Sequence, residues 1–119
     1  MGSFADSFQH IKDRDSFYAT LDKAIAASEA RPDDPGFARV ASQLRAIKGW
    51  TKGGEQPSRE DIESIDICRI VAVEYEALRS EIQEVDDWAQ MAGEVAIYIK
   101  HWLDDAEFAE VDEYDLEWY

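Results

Sequence analysis

Residues able to do chemistry are few in this chain and do not converge. His10 and His101 each stand alone, and neither can be paired with a nucleophile from sequence, so both read as surface or structural histidines. Cys68 lies in an apolar helical stretch, whereas an activated cysteine needs exposure and positive surroundings; a small buried thiol is expected. As the only cysteine it excludes an internal disulfide and a Cys-based zinc site, and it favours a reducing compartment, by default the cytoplasm. Gly53-Gly54 lacks the Lys-Ser or Lys-Thr of a phosphate loop and closes a helix instead of opening one. Asp86-Asp87 and Asp104-Asp105 are adjacent acids that point to different parts of a helix, and no Glu-x-x-His places mixed ligands on one face. The expectation is a non-enzyme with no catalytic residue, no metal and no cofactor. Two acids stand out by position: Asp66 between Ile65 and Ile67, and Glu74 between Val73 and Tyr75, both inside the most apolar stretch. An unpaired buried carboxylate is costly, so Asp66 should pair with Arg69 or Arg45, or lie exposed at a helix crossing.

The elements that must hold these residues read as helices almost throughout. A first helix should start near Asp15 or Ser16 and place Phe17, Leu21, Ala24, Ile25 and Ser28 on one face, stopping before Arg31-Pro32. Asp34 is an N-cap with Pro35 at the first helical position, opening a second helix along Phe37, Val40, Ala41, Leu44, Ile47 and Trp50 or Thr51. Lys52-Gly53-Gly54 ends it. Ser58, three residues before Asp61, caps a third helix expected to run unbroken from Ile62 to Ile82. A last helix should span about Glu84 to Asp104, with a seam of Val85, Trp88, Met91 or Ala92, Val95, Ile99 and Trp102 or Leu103. The fold class is all-α: one domain, a bundle or orthogonal array of about four helices, with a lead-in over 1–14, a helical domain over 15–104 and a tail over 105–119.

The chain carries 27 Asp and Glu against 12 Lys and Arg, a net charge of -15, yet 45% of it is apolar, with four Trp, five Tyr and five Phe. Disordered chains pair high charge with low hydrophobicity, so this is a folded acid whose charge decorates a surface. A negative potential repels nucleic acid and anionic lipid and draws in a cationic protein; the bland alternative is that it only confers solubility. No stretch is apolar for the length of a membrane span, and Met1 to His10 carries no export signal. From Asp104 onward, acids interleave with Phe108, Val111, Tyr114, Leu116, Trp118 and Tyr119, and no basic residue appears. Such a tail is a candidate arm for a basic, partly apolar groove; alternatively its aromatics close an open end of the bundle.

Leu21-Asp22-Lys23-Ala24-Ile25, Pro35-Gly36-Phe37, Gln43-Leu44-x-x-Ile47 with Trp50, Pro57-Ser58, Ile65-Asp66-Ile67 and Val73-Glu74-Tyr75-Glu76 together form a string that resembles a bacterial type VI secretion immunity protein family over roughly Phe17 to Leu103. The resemblance implies a small all-α protein, encoded beside an NAD-degrading effector, that binds the toxin domain and blocks its active site. The tail after Leu103 departs from that pattern, and no contact residue is carried over by position.

Joined to the charge, the resemblance implies an acidic plug. A toxin that consumes NAD must offer positive or donor groups to the dinucleotide phosphates, and carboxylates held on a rigid scaffold would compete for them. Trp102, Tyr114 and Trp118 are the expected partner-binding anchors, ringed by Asp104, Asp105, Asp112 and Asp115, with Glu63 and Asp66 as a second patch. The partner is then a cognate toxin domain with a basic active-site cleft, not nucleic acid or membrane; the seam on the last helix leaves a homodimer open. The rival reading is an acidic nucleic-acid mimic or antitoxin on a basic nucleic-acid-binding protein.

Overall fold

Helix α1 spans Arg14–Glu29 and is opened by Asp13, whose carboxylate accepts from the Ser16 amide at 2.7 Å while the Ser16 hydroxyl oxygen accepts from the Asp13 amide at 2.9 Å. This reciprocal capping box starts the helix just ahead of the expected Asp15 or Ser16, because Ser16 is the third helical residue and not the cap. In the computed structural model, which describes residues 8–102, Asp34 caps α2 (Pro35–Trp50), with Pro35 in the first turn. Thr51 then closes α2, its hydroxyl donating to the Ile47 carbonyl at 2.8 Å, and Gly53 and Gly54 take φ of 79° and 84° to reverse the chain. Ser58 caps α3 (Arg59–Glu63) by accepting from the Asp61 amide at 3.1 Å.

The expected unbroken helix from Ile62 to Ile82 is broken. After α3 come α4 (Ile67–Arg69), a π-helical turn (Ile70–Glu74) and α5 (Glu76–Glu81). The first break has a named cause. The Ser64 hydroxyl donates to the Asp61 carbonyl at 2.6 Å, and the Asp66 amide, at φ -122°, donates to Gln43 Oε1 on α2 at 2.9 Å instead of to its own helix. The π turn has a consequence for facing. At about 100° per residue Glu74 would lie within about 20° of Ile67 on the buried arc, and Tyr75 about 80° away. The wider turn swings Tyr75 into the core and leaves Glu74 outside, beside Arg39 and Arg69.

Helix α6 (Gln83–His101) is the hub: α1, α4, the π turn and α5 all pack on it, and α1 also packs on α2. Its seam of Val85, Trp88, Ala92, Val95 and Ile99 is buried as the periodicity predicts. The Trp88 ring stacks on Phe37 at 3.7 Å, its indole N–H donates to the Ser28 hydroxyl at 2.8 Å, and Tyr75 meets both rings edge-on. Gly36 is required there, since a Cβ would overlap the Tyr75 ring and hydroxyl. Instead of running to Asp104, α6 ends at His101, because Trp102 turns left-handed at φ 44°. That conformation costs a non-glycine residue about 1–2 kcal/mol. It is offset by edge-on packing on Phe17 and Tyr98 and by the Arg14 guanidinium, 3.9 Å above the ring. Among the described residues the fold is all-α with no strand.

Candidate partner-binding groove

Two of the sequence-predicted residues, Glu63 and Asp66, meet in one groove. It lies between the α3–α4 junction and the C-terminal half of α6, encloses about 370 Å³, and is lined by Ile62, Glu63, Ile65, Asp66, Cys68, Arg69, Ala96, Ile97 and Lys100. The floor is aliphatic. α3 buries none of its own residues, so Ile62 and the following Ile65 are only partly covered where they lean toward the core.

The rim is charged and tied down on one side. Asp66 accepts from Arg69 at 2.7 Å and from Gln43 Nε2 at 2.5 Å, and these contacts, the Arg69 bond foremost, hold its carboxyl below the ordinary carboxylate value. Arg69 also reaches Glu74 at 3.2 Å, and Glu74 pairs with Arg39 of α2 at 2.5 Å. Of the two partners proposed for Asp66, Arg69 is therefore the one found; Arg45 pairs with Glu29 at 3.2 Å. Glu63 pairs with Arg59 at 3.0 Å, and with the Arg59 side chain 91% exposed this geometry contributes little.

Cys68 links this groove to a second cavity of about 210 Å³ that also holds Phe8, Arg79, Gln90 and Glu94. It is half-buried, and burial pushes its thiol up to about 11 against the pull of Lys100, so it stays protonated at neutral pH. Glu94 was not anticipated. It is the only buried carboxylate among the described residues, and it accepts from three successive amides, Gln9, His10 and Ile11, at 3.1, 2.9 and 3.0 Å, and from Gln90 at 2.8 Å. This carboxylate clasps the lead-in onto α6, with Phe8 and Ile11 buried on either side.

Trp102 does not join the groove. Its ring lies against α1, on the side of α6 that carries Tyr98, whereas Ala96, Ile97 and Lys100 face α3. Asp104, Asp105, Asp112, Tyr114, Asp115 and Trp118 lie outside the described residues, as does Leu103 of the expected seam. Arg69, Ile97 and Lys100 were missed as lining residues, although Gly93, Ala96, Ile97 and Lys100 recur at helical spacing beside the seam. Among the described residues no group of three or more His, Cys, Asp or Glu could hold a metal ion, and no helix is long and apolar enough to cross a membrane. Comparison with protein-family models, with curated proteins and with solved structures finds no match to this chain.

Proposed function

We propose that this chain is an immunity protein that binds a cognate secreted toxin in the cytoplasm of the producing cell and blocks its active site, the toxin being an NAD(P)-degrading type VI secretion effector. The observation that carries this reading is where the charge lies. Among the described residues every carboxylate but Glu94 is at least partly exposed, so 17 of their 18 acids, against 12 Lys and Arg, lie at the surface of the helical core; the other 9 of the chain's 27 acids lie outside the described residues. All 12 Lys and Arg fall within residues 8–102, and the flanking sequence adds only acids, from Asp6 and from Asp104 to Glu117. Such a surface steers a basic cleft to itself at a rate that falls with salt, and an apolar anchor is then needed to slow dissociation. The NAD(P) chemistry rests on the family resemblance and on the need of such an enzyme for groups that bind dinucleotide phosphates.

The test is co-purification with the toxin domain encoded by the neighbouring gene, followed by NAD consumption with and without an equimolar amount of this chain. A tight complex without turnover supports immunity. A complex with turnover intact removes the active-site block. Displacement of the chain from its partner by DNA would favour nucleic-acid mimicry instead.

A further inference from the structure

We infer that the groove between α3 and α6 is the docking site for the partner, and that it takes a segment presenting an apolar side chain beside a Lys or Arg. This deepens the reading above and rests on it. The floor asks for an apolar occupant: Ile62, Ile65, Ala96 and Ile97 leave about 370 Å³ between them, and the α3 wall buries no residue of its own. The α3 side asks for a cation. Of the α3 acids Glu63 alone lines the groove, and its ion-pair partner among the described residues is the exposed Arg59. The positive charge of Arg69 is already shared between Asp66 and Glu74, which leaves Lys100 as the free-standing cation of the lining, on the opposite wall.

The groove thus has an apolar floor, Glu63 on the α3 wall, the Asp66–Arg69 pair on its rim and Lys100 across from it. A partner's aliphatic or aromatic tip fits the floor, and a Lys or Arg one helical turn away reaches Glu63. A second copy of this chain fits poorly, because each copy brings a charge of -15. The rim network fixes Asp66 before docking: Gln43 holds both its amide and its carboxylate, so little ordering remains to be done on this side.

The experiment uses the full chain labelled with 15N and a synthetic 14-residue Leu/Lys peptide of amphipathic helical spacing, with a Ser/Lys peptide of equal charge as control. Shifts concentrated at residues 62–69 and 93–100 with the Leu/Lys peptide, weaker by about tenfold or more with the control and with Ile97→Asp, support the inference. Glu63→Lys, at an exposed position, should weaken the Leu/Lys peptide without disturbing the fold, so the test survives if Ile97→Asp misfolds. Shifts spread evenly over the acidic surface, equal affinity for both peptides, or groove shifts that grow with protein concentration alone would each overturn it, the last by placing a second copy there. Against the toxin domain, unchanged inhibition by both variants would overturn the groove and leave immunity standing. If wild type fails to bind the toxin domain at all, the immunity reading falls and the peptide titration alone decides the groove.

Discussion

Helices α1, α2 and α6 and the segment Arg59–Glu81 answer the same requirement, burial of apolar side chains, in different ways. The three long helices meet through stacked aromatics, Phe37 on Trp88 and Phe17 on Tyr98, with buried polar atoms such as the Trp88 indole paired. The segment between them is cut into short helices, is held by an exposed ion network, and leaves a groove and the 67% exposed Val73. The segment gives Ile67, Ile70, Val71 and Tyr75 to the shared core, and it also carries the surface that can still be covered. This is the arrangement expected when a rigid scaffold carries a binding face.

The largest expected effect breaks that comparison most directly. Trp88→Ala removes the ring at the centre of the long-helix core and should cost about 3–5 kcal/mol. Val73→Ala, on the π turn, should stay within about 0.5 kcal/mol. Urea unfolding of the two variants measures both; similar losses would show that Val73 is covered in solution. Next in size is Glu94→Ala, which leaves the Gln9, His10 and Ile11 amides without their acceptor and should cost about 3 kcal/mol. Hydrogen exchange should quicken first at those three amides. Protection that persists there would mean that Phe8 and Ile11 hold the lead-in without the carboxylate.

What the sequence made legible divides along the same line. Caps at Asp34 and Ser58 and the seam of α6 could be read because a cap or a stripe is local chemistry. The break at Ser64–Asp66 could not, because its cause, Gln43, is 23 residues away. Nor could the π turn be read, since Glu74 at regular spacing looks like a partly buried acid. Glu94 was hidden for a different reason: its partners are backbone amides of Gln9 to Ile11, which every sequence possesses. For the candidate site, Glu63 and Asp66 were legible as acids in an apolar run, whereas the α6 wall that faces them depends on how the helices pack.

Alkaline unfolding separates groove from core within the segment Arg59–Glu81. Cys68 in the groove is pushed up from 9.0 to about 11, chiefly by burial, and Tyr75 in the core from 10.0 to about 12, by burial and then by its hydrogen bond to Asp34. Both folded-state values are raised, so each group's contribution is complete below its unfolded value and is lost as pH rises through the folded one. The groove thiol should begin to cost stability near pH 9 and remove about 1 kcal/mol by pH 10; the core phenol should begin near pH 10 and remove about 1 kcal/mol by pH 11. Cys68→Ala should erase the earlier limb and Tyr75→Phe the later one in urea titrations at stepped pH. An earlier limb that is unchanged by Cys68→Ala would show that the groove thiol is open to water and is not its source.

The smallest effect sharpens the comparison at acid pH, because each region contains a carboxyl held below its ordinary 3.8: Asp13 at the start of α1 and Asp66 on the groove rim. With folded values depressed, both contribute stability that is present above about pH 4 and is lost as pH falls through the lowered folded values. The causes differ. Asp13 is held first by the Ser16 amide and then by the Ser16 hydroxyl, neutral donors within a cap, whereas Asp66 is held first by Arg69, an ionic partner that is half exposed. Salt screens the second kind and leaves the first largely untouched. Asp13→Asn and Asp66→Asn should each lower stability at neutral pH by about 1 kcal/mol or less and flatten part of the acid limb. In 1 M NaCl the effect of Asp66→Asn should shrink toward zero while that of Asp13→Asn persists. If both shrink alike, the cap is as electrostatic as the rim; if neither does, the hydrogen bonds from Gln43, and not the Arg69 pair, are what hold Asp66 in place.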